Sequence, residues 1–464
     1  INTQLKKGPG EIDIAATIDV LRKAVDYLAD SLEDFSGKKV EDLFGGRKVF
    51  DNILQYGEGE YPTEMTMRSA AAYLLMNQIF FYHNLTISEP QKFPIIDEET
   101  LKHPTDLMMY FTNALAVDYQ AVFSFDVASR VPIKTIEYLK TIIGALKLLG
   151  PEKIRHDFLG QVFHDMIPLN VRKPVAAFYT NIYAAELLSS LAVRNADDEV
   201  IDLAVGSGGL LVAAYRAKKR LVETEFTEKH HRAFVEQHLT GIDIMPFAAH
   251  LATVNLSLQA PLYQTNKVRI AVWDSTELKP EQEIPPVSRM IKEAYKRPTL
   301  DVFTKGEITE EAYVKRGVYT LDNEAKEQIY LNKVDVVIMN PPFTRAERLP
   351  VSYKAELRKR FHEYKDYLHG QLGYYGYFIL LADRFLKKGG RMALVLPSTI
   401  LRVHSCEGLR KFLLEDYEIE FIVSAWSRIA FSESAMLREI LLVARKVEPN
   451  KAPCLIVALK KLPQ

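Results

Sequence analysis

The chain is poor in cysteine, with Cys406 and Cys454 the only two in 464 residues. That excludes a disulfide framework and a cysteine-built metal cluster, and it fits a reducing, cytoplasmic compartment. No apolar run approaches the roughly 18 residues that span a bilayer, so no membrane partner is expected. Positions 1–10 also lack the basic-then-apolar order of a secretory leader. Neither sign of charge dominates. A net charge of −1 means that a nucleic-acid partner must be held by local basic patches rather than by a global positive field. Glycine and proline, 22 each, are too few for a collagen-like or low-complexity chain, and there is no fixed-period repeat. What remains is 48% hydrophobic and 26% charged residues, enough for two to three globular domains with a substantial core. The first residue is Ile1 rather than methionine, so residues are expected to precede it.

The first 170 residues read as mostly helical. Ile14, Ile18, Leu21, Val25, Leu28 and Leu32 make one apolar stripe, and 65–85 is apolar on all sides, as in a helix buried within a bundle. Further helical patterns cover 104–118 and 134–149. From about 175 the texture changes to short β-rich runs at 199–205, 239–244, 267–274, 334–340, 391–397, 418–425 and 438–446. Helical patterns at 210–221, 246–259, 375–387 and 406–416 alternate with them, with one more polar helix at about 217–238. This alternation predicts an α/β domain with a largely parallel, doubly wound sheet. The longer, polar, Pro-interrupted stretch 276–333 reads as a functional insertion rather than core.

Three motifs carry chemistry. Ile201-Asp202-Leu203-Ala204-Val205-Gly206-Ser207-Gly208-Gly209 is a strand-to-helix turn whose glycines let the backbone approach a ligand at a helix N-terminus. Asp243, ending the next strand, lies 41 residues beyond Asp202, where roughly 20 is usual for a simple dinucleotide site. At that position Asp243 can accept both hydroxyls of a ribose, and Asp274, closing the third strand, can accept from an adenine amine. Each aspartate alone could be a helix cap. Three in consecutive crossovers of one sheet point to a nucleoside-bearing ligand. The third motif, Asn340-Pro341-Pro342-Phe343, lies at the C-terminal end of the apolar strand 334–340. Two prolines fix its backbone. The Asn340 side-chain oxygen and the Pro341 carbonyl can then accept both hydrogens of an exocyclic amine, while the Phe343 ring stacks on a planar base.

With these residues in view, the chain resembles adenine-N6 DNA methyltransferases of restriction–modification systems, in particular the type I modification subunit. A further match is Ala177-Phe178-Tyr179-Thr180-Asn181, similar to that family's Phe-Tyr-Thr-Pro segment with Asn181 in place of the proline. Leu203 and Val205 depart from the usual glycine loop, and 389–398 resembles the fifth-strand region. The likeness covers about 150–447 by motif and 1–150 by architecture. It implies a Rossmann-like class I methyltransferase sheet over 171–464, with an insertion at about 276–333, preceded by a helical domain over 1–170 that clamps DNA or docks a partner.

The resemblance implies S-adenosylmethionine as cofactor, bound by Phe178, Tyr179, Thr180, Asp202, Ala204, Gly206, Ser207, Gly208, Asp243, Ile244, Asp274 and Ser275. Asn340, Pro341, Pro342 and Phe343 would be catalytic, with no metal. Double-stranded DNA is the implied substrate. A specificity subunit or a C-terminal target-recognition domain outside this chain would read its sequence, with a restriction subunit as a further partner. The catalytic domain is expected to end near Lys446. Asn-Pro-Pro-aromatic turns also occur in enzymes that methylate a protein glutamine or an RNA guanine, and a non-catalytic DNA-binding scaffold is the remaining alternative.

Other features are more ambiguous. Arg345, Arg348, Lys354, Arg358, Lys359 and Arg360 could contact phosphates, but Glu347 and Glu356 among them equally suit a solvated helix face. Lys387, Lys388 and Arg391, flanking Gly389-Gly390, read as a helix C-terminus, Trp426 and Phe431 as core, and His230, His231 and His238 show no ligand-like grouping.

Overall fold

A computed structural model describes residues 6–8, 11–12, 14–32, 64–117, 123, 127–148, 180–244, 246–257, 259–260, 263, 265, 267–286, 317–318, 328–426, 431–432, 438–447 and 453–460. The amphipathic stripe forms helix α1 (Ile14–Asp30), which buries Leu21, Val25 and Leu28 against α2 (Glu64–Ser88) and α4 (Ile136–Leu148). Helix α2 is buried on all sides between Ala71 and Phe80, as its uniform apolarity predicts. Helix α3 (Leu107–Val117) completes the cluster, with Tyr82 ringed by Phe93, Tyr110, Phe111 and Phe123.

The second half is a mixed α/β body built on a Rossmann-like, doubly wound sheet. Its strands are β1 (Val200–Asp202), β2 (Leu239–Asp243), β3 (Arg269–Val272), β4 (Gly317–Val318), β5 (Val334–Met339), β6 (Leu386–Pro397), β7 (Tyr417–Ala425), β8 (Glu439–Lys446) and β9 (Leu455–Leu459). Among the described residues they lie in the order β9-β7-β8-β6-β5-β1-β2-β3-β4. Strands β3, β2, β1, β5 and β6 are parallel, while β8 runs antiparallel between β6 and β7. Strand β5 is central, and five of its six residues are buried, which is why its sequence runs apolar instead of alternating. Helices α5 (Ile182–Ala192), α6 (Gly209–Arg220), α7 (Glu228–Ala233), α8 (Pro246–Ser257), α9 (Val351–Arg360), α10 (Tyr374–Phe385) and α11 (Glu407–Asp416) make the connections. The strand order reverses between β1 and β5, so a crevice opens beyond their C-terminal ends.

Several expectations need correction. The single helix at 217–238 is absent: α6 stops at Arg220, and α7 begins after Thr227, whose N–H donates to His230 Nδ1 at 3.1 Å. A π-helical turn, Phe234–His238, then leads into β2. The described ends of the insertion belong to the core. Leu278, Ile284, Val318, Ile329 and Leu331 are buried, Gly317–Val318 extends the sheet, and Gln282–Ile284 pairs with Ile329–Leu331. Residues 287–316 and 319–327 lie outside the described residues.

Lys387, Lys388 and Arg391 are not a helix terminus, because α10 ends at Phe385 and β6 starts at Leu386. There Lys387 Nζ bridges Glu199 at 2.9 Å and Asp335 at 3.0 Å, carboxylates at the entrances of the neighbouring strands. The sheet does not end at Lys446, since β9 adds a parallel edge strand beside β7. Trp426 is 80% exposed at the end of β7 rather than in the core, whereas Phe431 is fully buried.

Candidate active site

The crevice edge collects the residues that the motifs single out. The glycine turn is stitched to β2 by Val205 N–H donating to the Ile242 carbonyl at 3.0 Å. Gly206 and Gly208 adopt φ of 52° and 86°, the left-handed region that favours glycine. A Cβ on Gly208 would sit 3.0 Å from the Ala252 Cα of α8, so the turn is also pressed against that helix. Gly208→Val is therefore expected to lower the unfolding free energy by about 2 kcal/mol from the backbone conformation alone, measurable by urea denaturation. From α8, Asn255 Nδ2 donates to the Ser207 carbonyl at 2.8 Å and holds the turn from behind.

Asp202 is buried at the end of β1. Its Oδ1 accepts the Ala204 N–H at 3.0 Å, and its Oδ2 has no hydrogen-bond partner among the described residues. Burial pushes its carboxyl well above the usual range, the Ala204 N–H opposes this, and the Asp243 charge adds to it. Asp243, half-buried at the end of β2, accepts the Gly206 N–H through Oδ2 at 2.9 Å. The two aspartates and the glycine turn therefore form one connected unit, with Ala204 and Ile244 half-buried beside it and Ser207 buried.

Asp274 is buried just beyond β3, and both its oxygens are engaged. Oδ1 accepts from Thr276 N–H at 3.0 Å and Thr276 Oγ1 at 2.7 Å, next to the buried Ser275. Oδ2 accepts from Arg360 at 2.8 Å and Tyr353 Oη at 3.3 Å, both on α9. Arg360 also reaches Glu277 at 3.0 Å and Glu356 at 3.1 Å. It thus turns inward, away from the phosphate-contact role that its basic neighbours suggest, while Arg345, Arg358 and Lys359 are exposed.

Asn340, 5% exposed, follows β5, and its Nδ2 donates to Thr180 Oγ1 at 3.1 Å. Pro341 is buried and Pro342 half-buried. Phe343 is only 7% exposed and packs edge-on against Tyr375, with ring centroids 6.3 Å apart. It lines the turn as a wall and does not present an open stacking face. Phe178 and Tyr179 lie outside the described residues, but Thr180 sits directly against the Asn-Pro-Pro turn. The histidines make local bonds, such as His231 Nδ1 to Tyr215 Oη at 2.8 Å. Sequence reasoning missed Asn255, Arg360 as an inward clamp, and the Ser432 and Glu439 pair behind Thr180. None of these carries a local signal, because each acts on a residue distant in sequence.

Comparison with known proteins now bears on this edge, since one family model covers β2, the Asn-Pro-Pro turn and the sheet up to Phe431. Residues 237–431 match the Eco57I restriction-modification methylase. The chain is similar to restriction–modification methyltransferases in sequence as well. It is 29% identical over 117 residues to the Type II methyltransferase M.BanIII of Aneurinibacillus aneurinilyticus, covering 25% of this chain and 19% of that one. It is 33% identical over 89 residues to the Type II methyltransferase M.HincII of Haemophilus influenzae, covering 19% and 18%. The matched segments thus span less than a fifth of either relative. The fold is that of the type I restriction-modification system methyltransferase subunit from Streptococcus thermophilus, with a TM-score of 0.51 at 16% identity over 96% of this chain and 89% of that one. The methylase match begins inside the π turn before β2, so the glycine turn and Thr180 fall outside it. Among the described residues, no helix is long and apolar enough to cross a membrane.

Proposed function

We propose that this chain transfers a methyl group from S-adenosylmethionine to the N6 amine of adenine in DNA, as part of a restriction–modification system. The observation that carries the reading is Asn340, held by Thr180 at the C-terminal end of β5, beside the Asp202–Gly208 turn and Asp243. The edge fits the methyl donor. The buried Asp202 Oδ2 calls for a donor group such as an ammonium, the glycine turn admits close backbone approach, and Asp243 suits the ribose hydroxyls. Asp274 would accept from the adenine amine of the donor while keeping its bonds to Arg360 and Thr276. When bound, the donor supplies a sulfonium that is a good leaving group.

The chain's own residues then have a positioning task. The adenine amine is a weak nucleophile because its lone pair is delocalised into the ring. Accepting its two hydrogens at Asn340 Oδ1 and the Pro341 carbonyl favours a pyramidal nitrogen with its lone pair free for attack. Once methylated, that nitrogen is acidic enough to lose its proton to water. Catalysis rests on orientation and preorganised acceptors, with no strong base. A base inside a duplex cannot reach this turn and must be flipped out, with Phe343 as one wall of its pocket. Phe343→Ala is expected to raise the DNA concentration needed for half-maximal rate. Because the ring is buried, the same variant should lose about 3 kcal/mol of stability, measured by urea denaturation.

Recognition is proposed to depend on a specificity subunit or a further recognition domain, with the helical region over 1–170 clamping DNA or docking that partner. The net charge of −1 gives little nonspecific hold on DNA at physiological salt. The isolated 464-residue chain is therefore expected to bind the donor but to methylate plasmid DNA poorly. Incubation with labelled donor tests this: efficient, sequence-specific incorporation without any added protein would place recognition within the chain.

A further inference from the structure

Behind Asn340 runs a path of buried polar contacts that the mechanism above does not use. Thr180, which accepts from Asn340 Nδ2, forms an antiparallel bridge to Ser432, and the adjacent Asn181 N–H donates to the Phe431 carbonyl at 2.7 Å. Ser432 donates its N–H to Glu439 Oε2 at 2.7 Å and its hydroxyl to Glu439 Oε1. Glu439 opens β8, which runs antiparallel to β6, so its first residue lies at the same sheet edge as Asn340. The carboxylate is 4% exposed, and among the described residues no ion pair reaches it. Burial drives its pKa up to about 7, against the pull of the Ser432 and Phe431 N–H groups.

A buried acid without a cation is costly unless its oxygens are hydrogen-bonded. Here both oxygens accept from Ser432, with the Phe431 N–H beside them, and that serine is bridged to the residue holding the Asn340 amide. Three segments distant in sequence, around Thr180, Asn340 and 431–439, meet in this one path.

We infer that Thr180 and Glu439 are positioning residues for Asn340: Thr180 fixes the amide, and Glu439, through Ser432, fixes Thr180. This rests on the proposed role of Asn340, and it gives Thr180 a task other than the donor contact implied by the family resemblance. A displaced acceptor would still leave the donor site intact, so the cost falls on the chemical step.

The test uses the full-length protein with its DNA-recognition component, and reads single-turnover methyl transfer and donor affinity separately. Thr180→Val removes the acceptor at nearly constant shape, and Glu439→Ala removes both acceptors. Each is expected to slow transfer roughly 10- to 100-fold, with donor Kd within about twofold of wild type. Thr180→Ser and Glu439→Gln should recover most of that loss. The glutamine can still accept from the Ser432 N–H and can donate to its hydroxyl. If Glu439→Ala does not fold, the Thr180 pair decides alone. Wild-type rates in Thr180→Val and Glu439→Ala beside an inactive Asn340→Ala would overturn the inference and leave the proposed function standing. A donor affinity lost in Thr180→Val, with the rate at saturating donor intact, would also overturn it by making Thr180 a donor contact. An active Asn340→Ala would overturn both.

Discussion

Asn340→Ala should bind S-adenosylmethionine normally and fail to methylate, with the transfer rate down by roughly 100- to 1000-fold. The separation follows from where the side chain sits. Asn340 directly follows β5, and the candidate donor contacts lie at or just beyond the ends of β1, β2 and β3, on the other side of the switch point. Its amide is bonded to Thr180, not to the glycine turn. The acceptor it supplies is needed most when the target nitrogen pyramidalises, so its loss acts on the transition state and leaves donor binding alone. Calorimetry for the donor and single-turnover transfer for the chemistry read the two effects independently. Because Asn340 is buried beside Pro341, the alanine variant also needs a check of its unfolding transition, to show that lost activity is not lost fold.

Asp243→Ala carries the second large effect, in the opposite compartment. Removing its carboxylate should weaken donor affinity by about 1–3 kcal/mol, or roughly 5- to 150-fold, through a lost charge-assisted hydrogen bond. Two contributions are combined in that figure. One is the proposed pair of bonds to the ribose. The other is internal: Asp243 Oδ2 accepts the Gly206 N–H, so the glycine turn itself loosens when the carboxylate goes. Asp243→Asn keeps an oxygen that can accept from Gly206 and should fall between alanine and wild type. Calorimetric affinities equal to wild type in both variants would remove Asp243 from the site. The rate at saturating donor should change far less than in Asn340→Ala.

The parts of the fold written in local patterns were legible. Strand β5 announces itself by its apolar run ending at a diproline, and the glycine turn by its place between a strand and an apolar helix. The alternation of the two fixes the class of sheet, and with it the edge where Asp202, Asp243, Asp274 and Asn340 meet. What failed were boundaries and pairings decided by distant neighbours. The break between α6 and α7 depends on a cap at Thr227 that the polar sequence around it masks. Lys387 and Lys388 look like a helix end until Glu199 and Asp335 are seen paired with Lys387. The short apolar run 455–459 becomes a strand only because β7 offers an edge for it.

The site shows the same division. Residue types at strand ends could be read directly, because the chemistry of a strand end follows from the fold class. The contacts that set their electrostatics could not. Arg360 meets Asp274 across 86 positions, and Thr180 meets Asn340 across 160. A basic run followed by a helix gives no sign that its last arginine folds back onto a carboxylate. The burial of Phe343 against Tyr375 was equally hidden, because an aromatic after a diproline reads the same whether its face is open or packed.

The central claim concerns which atom receives the methyl group. DNA from a methylation-free host is incubated with the full-length protein, its recognition component and isotopically labelled S-adenosylmethionine, then digested to nucleosides and analysed by mass spectrometry, with RNA and total protein treated in parallel. Label in N6-methyladenine from DNA, absent with the Asn340→Ala variant, is the predicted result. Label confined to a cytosine, an RNA guanine or a protein glutamine, or equal labelling by Asn340→Ala, would contradict it.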